Sequence, residues 1–147
     1  MIVISDSNII FSAIITPKGI IASILSEETK IQLIAPSYLL EEIEKHSNKI
    51  CDYLDIEKNE FKKRLKLYTS RIKFIDSEKI PKKYISEALE IVSSIDYDDF
   101  VFVALNRYKK YKLWTGDESL IKGLKLKGYD ICITTSELKN HIYKNEI

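Results

Sequence analysis

Ile2-Val3-Ile4-Ser5-Asp6-Ser7-Asn8 opens the chain with three β-branched apolar residues, one acid and three small polar residues. A short continuous apolar run of this kind suits a strand covered on both faces, as in a parallel sheet. Ser5 and Asp6 end the run. Asn8 then opens a short helix with Ile9, Ile10, Ala13 and Ile14 on its apolar side, and Thr16-Pro17-Lys18-Gly19 breaks it. A second helix follows, with Ile20, Ile21, Ile24 and Leu25 at helical spacing.

The same alternation continues outward from this start. Ile31 to Ala35 reads as a strand stopped by Pro36, and Ser37 is placed to cap a helix running to about Asn48 with Leu39, Leu40 and Ile43 inward. Glu57 to Thr69 is an amphipathic helix with Phe61, Leu65 and Tyr68 on its inner face. Ile72 to Ile75 is a strand. Pro81 precedes a helix with Tyr84, Ala88, Leu89 and Val92 inward. Asp99 to Arg107 reads as a buried helix and Lys112 to Thr115 as a strand. Asp117 to Leu126 is a helix ended by Lys127-Gly128. Ile131 to Ile133 is the last strand, and Thr135 or Ser136 caps the final helix. Strands alternating with helices predict a three-layer α/β/α fold around a central, mainly parallel, Rossmann-like sheet.

The 147 residues suffice for one domain, 1–147, with a real core and are too few for two ordinary ones. A composition 45% hydrophobic and 31% charged reads as globular, and the net charge of +1 does not by itself announce a nucleic-acid binder. Two cysteines without CxxC spacing, Cys51 and Cys132, make neither a zinc site nor a disulfide scaffold. No apolar run approaches the roughly 20 residues of a membrane span, so no membrane is expected and the reducing cytoplasm is the expected compartment.

Four acids stand out: Asp6 after the first strand, Asp117 after the strand ending at Thr115, Asp99 at a helix start and Glu42 one turn into another helix. Ligands of open parallel sheets bind at the carboxyl edge, where helices following strands begin, so all four can face one pocket. Clustered carboxylates raise each other's pKa values, and a divalent cation is the usual remedy; hard oxygen donors select Mg²⁺ or Mn²⁺. Taken singly each acid has an ordinary explanation. Asp6 suits a turn, Asp99 and Asp117 suit helix caps, and Glu42 sits in the acidic run Glu41-Glu42-Ile43-Glu44.

Four blocks of this chain resemble the PIN-domain family, in the family's order. They are Ile2 to Asn8, Ala35 to Ile43 with its Glu42 before an aliphatic, Asp96 to Leu105 with Asp99 before the apolar run, and Leu113-Trp114-Thr115-Gly116-Asp117. The resemblance implies a metal-dependent endoribonuclease whose matching acids, Asp6, Glu42, Asp99 and Asp117, bind Mg²⁺ or Mn²⁺ and activate water for hydrolysis of single-stranded RNA. Ser7, Asn8 and Thr115 would support them, with Asp96 as a secondary ligand. Glu41 and Asp98 are the neighbouring registers; spacing to Ile43 and Phe102 favours Glu42 and Asp99. The resemblance also raises a toxin paired with an antitoxin protein, or an RNA-processing nuclease without one. A non-catalytic module binding RNA or protein is the alternative, and retention of all four acids weighs against it. A phosphatase would want D-x-D at the first strand, where Asp6-Ser7-Asn8 stands.

Basic residues cluster at Lys58 to Lys66, Lys82-Lys83, Lys109-Lys110 and Lys122 to Lys127, mostly among acids, as solvated helix faces are. Tyr108 and Tyr111 interleave with lysines, and a helix end packing on the core is their plainer role. His46 lies one turn past Glu42. The charged segment 51–90 is open to three roles: covering an RNA groove, forming a homodimer, or packing. No RNA-contacting residue is legible.

Overall fold

The computed structural model describes residues 1–95 and 99–143. Strands β1 (Ile2–Ser5), β2 (Gln32–Pro36), β3 (Ile72–Ile75), β4 (Lys112–Trp114) and β5 (Cys132–Ile133) form one sheet. Their order is β3-β2-β1-β4-β5 and every pairing is parallel. The helices are α1 (Ser7–Ile15), α2 (Ile20–Ser26), α3 (Tyr38–Leu54), α4 (Lys58–Thr69), α5 (Lys82–Val92), α6 (Phe100–Lys109), α7 (Glu118–Leu126) and α8 (Thr135–Tyr143). The expected α/β architecture is therefore present.

Burial follows the pattern that parallel sheets impose. Val3, Ile4, Ala35, Leu113 and Trp114 are almost fully covered. Helix α6 is buried nearly all round, from Val101 to Asn106, because it lies across β1, β2 and β4 while α5 packs against it. Helices α1 to α4 pack on one another as a second group. The Trp114 indole N–H donates to Thr135 Oγ1 at 3.0 Å, so the largest buried ring leaves no orphaned donor.

Several local expectations change. Pro36 does not stop β2; it is the strand's last residue, in register with Ile75. Ser37 is not a helix cap, since its backbone is already helical and its side chain makes no capping bond. It turns instead to the 3₁₀ turn Ser77–Lys79, where Ser37 Oγ accepts the Ser77 N–H at 3.0 Å. Ser77 Oγ accepts the Tyr38 N–H at 2.9 Å, so α3 is capped across 39 residues of sequence. Helix α3 continues to Leu54, beyond Asn48, because Ile50 and Cys51 carry its buried stripe onward, and Leu40 is left 39% exposed off that stripe. Thr134, not Thr135 or Ser136, caps α8. Its hydroxyl accepts the Glu137 N–H at 3.2 Å while Glu137 Oε1 accepts the Thr134 N–H at 3.2 Å, a reciprocal capping box.

Candidate metal centre

The sheet reverses its order of growth at β1, which pairs with β2 on one side and β4 on the other. Open parallel sheets leave a crevice at such a point. Ser5 is paired with Trp114, and the Asp6 N–H continues the ladder by donating to the Trp114 carbonyl at 3.0 Å. This register brings Asp6 beside Thr115.

Asp6 is only 2% exposed and its carboxylate is tied down at both oxygens. Oδ1 accepts the Ser7 N–H at 2.7 Å, and Oδ2 accepts the Thr115 hydroxyl at 2.7 Å. Thr115 Oγ1 also accepts from Asn8 Nδ2 and from the Asp117 N–H, each at 3.1 Å. Those two donors fill its lone pairs, so its own proton goes to Asp6. Asn8 Oδ1 accepts the Gly116 N–H at 3.3 Å, which fixes the orientation of its amide. The network thus favours an ionised Asp6. Burial opposes it and prevails: the pKa is pushed up from 3.8 to about 6, with the Glu42 and Asp117 charges adding to the rise.

The other acids arrive from separate elements. Glu42 projects from α3, half-buried, and accepts the Ser7 hydroxyl. Glu41 is exposed, so of the two registers it is Glu42 that meets the pocket. Asp99 stands before α6, 9% exposed, and makes no capping bond to that helix. Asp117 does cap: its Oδ1 accepts the Leu120 N–H at 3.1 Å at the start of α7. Capping occupies one oxygen and does not remove the residue from the pocket. Asp6, Glu42, Asp99 and Asp117 line one pocket of about 240 Å³ together with Ser7, Asn8, Phe11 and His46. Asp6 and Asp117 directly precede helices, and the positive ends of those dipoles offset part of the clustered charge. Asp96 and Asp98 lie outside the described residues.

The donor set fits a hard divalent ion. Its oxygen donors are four carboxylates, the Ser7 hydroxyl and the Asn8 amide, with the His46 imidazole beside them, and the described lining residues include no lysine or arginine. Among the described residues no three acidic, histidine or cysteine side chains close into a ready-made cage. The acids ring the space instead. Mg²⁺ suits such a ring, since it keeps several waters and takes few carboxylates.

Phe11 and His46 complete the wall, and their rings meet edge-on at 5.8 Å. Phe11 carries no motif in the sequence; its place one turn after Ser7 is the available signal. None of the basic clusters named from sequence lines the pocket. Lys58 pairs with Glu44 at 3.6 Å, Arg64 with Glu60 at 3.2 Å, and Lys127 donates to the Ile91 carbonyl at 2.5 Å. Tyr108 packs on Tyr84 at 5.2 Å, at the end of α6 away from Asp99. Both cysteines are free and buried, and burial pushes the Cys132 thiol up to about 12, which makes it a poor nucleophile.

A family model described as the PIN domain matches residues 3–141 of this chain. Among solved structures, the chain is similar to one in the crystal structure of VapBC2 from Rickettsia felis bound to a DNA fragment from their promoter. The TM-score is 0.66 at 18% identity, and the alignment covers 91% of this chain and 97% of that one. At that identity the likeness speaks for the fold. No curated protein sequence matches.

The raised Asp6 pKa has a stability consequence with a defined sign. A carboxyl whose folded pKa exceeds its unfolded value stabilises the fold below about 3.8, and that contribution is lost as pH rises through about 6. The loss is about 3 kcal/mol for a shift of this size. Urea unfolding in EDTA at pH 4 and pH 7 checks it. Wild type should lose stability relative to Asp6→Asn across this interval, and a constant difference between the two would contradict the assignment.

Proposed function

The chain belongs to the PIN-domain family, and we propose on that footing that it is a divalent-metal-dependent endoribonuclease acting on single-stranded RNA. The observation that carries this reading is the convergence of Asp6, Glu42, Asp99 and Asp117, from four separate places in the chain, on one pocket at the sheet's switch point. A bound Mg²⁺ or Mn²⁺ would supply Lewis-acid stabilisation of phosphodiester oxygens and lower the pKa of water.

The chain's own residues do the positioning. Thr115 and the Ser7 N–H hold both oxygens of Asp6, which leaves their remaining lone pairs for a cation. Ser7 Oγ orients Glu42, and Asn8 steadies Thr115. Asp117 is anchored through its cap on α7. Outer groups of this kind set the geometry and basicity of metal-binding carboxylates.

We also place the protein in a toxin–antitoxin setting, with a small antitoxin protein as partner; the fold likeness to a chain of the VapBC2 complex supports this.

The primary test is cleavage of a fluorescent single-stranded RNA by wild type and Asp99→Asn, with Mn²⁺, Mg²⁺ or EDTA. Cleavage should require the metal and fall about a hundred-fold or more in the variant, as loss of several kcal/mol of transition-state stabilisation demands. A folded wild type that binds RNA without cutting it would make the protein a binding module. Thr115→Val should retain the fold and lose about 10- to 100-fold in activity or metal affinity; wild-type values would remove Thr115 from the site. Expression of wild type alone should arrest growth while Asp99→Asn does not, and equal growth of both would reject the toxin setting.

A further inference from the structure

Beside the acidic pocket runs a second, more apolar groove, and the two share Phe11 and His46. Helix α1 supplies one wall through Phe11 and Ile15; α3 supplies the other through His46, Lys49, Ile50 and Tyr53. Residues 42, 46, 49 and 53 are spaced four, three and four apart, so Glu42, His46, Lys49 and Tyr53 form one stripe along α3. The stripe covers about 16 Å of helix axis, starting at the acids and leading away from them.

The chemistry along it changes in a set order: carboxylate, imidazole, ammonium, phenol. Tyr53 is 77% exposed, an unusual state for so large a ring. Lys49 is exposed and makes no ion pair among the described residues. Exposed aromatic faces beside a cation are what a single nucleic-acid strand requires, the faces for bases and the cation for backbone phosphate. An apolar peptide would bury the groove floor too, but would make no use of the exposed Lys49 ammonium at its edge.

We infer that the α1–α3 groove is the RNA-binding track of this protein, with a base some nucleotides removed from the scissile bond stacked against Tyr53 and a backbone phosphate held at Lys49. The inference rests on the nuclease reading above, which locates the scissile bond at the acids. Phe11 and His46 form the step between the two, where the strand passes from the groove into the pocket. Both tracking residues lie on a rigid helix, and neither contributes to the core, so their replacement leaves the fold untouched.

The test is fluorescence anisotropy with a short fluorescein-labelled, mixed-sequence single-stranded RNA, with Ca²⁺ in place of Mg²⁺ or Mn²⁺ to suppress hydrolysis. Tyr53→Ala should weaken binding by about 5- to 150-fold, the range for one lost base–aromatic stack, and Tyr53→Phe should restore it. Lys49→Ala should lower the slope of log affinity against log salt by about 0.7, the value for one phosphate contact on a single strand. Wild-type affinity in Tyr53→Ala together with an unchanged slope in Lys49→Ala overturns the inference and returns the groove to a protein partner. No RNA binding by wild type overturns it as well. Because the readout is binding, it separates the two claims: weakened binding by the variants in a protein that never cleaves RNA would keep the track and reject the nuclease.

Discussion

One buried carboxylate organises this molecule. Asp6 sits at the point where β1 has β2 on one side and β4 on the other, almost without solvent, its oxygens held by the Ser7 N–H and the Thr115 hydroxyl. Burying such a group costs free energy unless it is fully hydrogen-bonded or neutralised. The surroundings supply the bonds but add like charge from Glu42 and Asp117, and the pKa of about 6 is the residue of that conflict. A divalent cation, as proposed above, would relieve that repulsion. The stability lost by assembling acids in one place is the kind of concession that functional sites make and that the rest of the core offsets.

The rigidity needed to hold that arrangement comes from the parallel sheet and from α6. Strands covered on both faces carry Val3, Ile4, Leu113 and Trp114 with almost no exposure, and α6 lies across three of them. Asp6, Asp99 and Asp117 each stand at a boundary between regular elements, and Glu42 stands within the early turns of α3. Their backbones are therefore fixed by packing that has nothing to do with the pocket. Thr115 links the strand ends, since one hydroxyl receives Asn8 and the Asp117 N–H and donates to Asp6. Helix α3 carries a second division of labour. Leu39, Ile43, Ile50 and Cys51 face the core, while Glu42, His46, Lys49 and Tyr53 form a stripe leading from the acids.

Much of the fold was legible because hydrophobic period and turn chemistry agreed. Ile2-Val3-Ile4 and Ile72 to Ile75 read as strands, and the Thr16-Pro17-Lys18-Gly19 break separated α1 from α2 as expected. Glu42 was separable from Glu41 because Ile43 had to be buried. Some expectations failed because the partner lay far away in sequence, others because a local boundary or helix face was off by a residue. Ser37 looks like a cap, yet Ser77 provides that function from a turn 40 residues on. Leu40 looks apolar enough for the core but falls off the buried stripe. Phe11 and the Lys49–Tyr53 stripe carry no motif, and only the meeting of α1 with α3 gives them a common groove.

The sequence by itself determined the type and order of the elements, because side-chain period and breaker residues act over a few neighbours. It also determined which acids stand at element ends. The tertiary structure alone decided that these acids share a pocket and that Thr115 donates to Asp6 across 109 positions. Those contacts depend on β4, not a strand adjacent in sequence, pairing with the free side of β1, and on the hydrogen-bond register that sets Ser5 opposite Trp114. Strand order and register are properties of the whole assembled sheet, fixed by the joint burial of its faces rather than by any local segment.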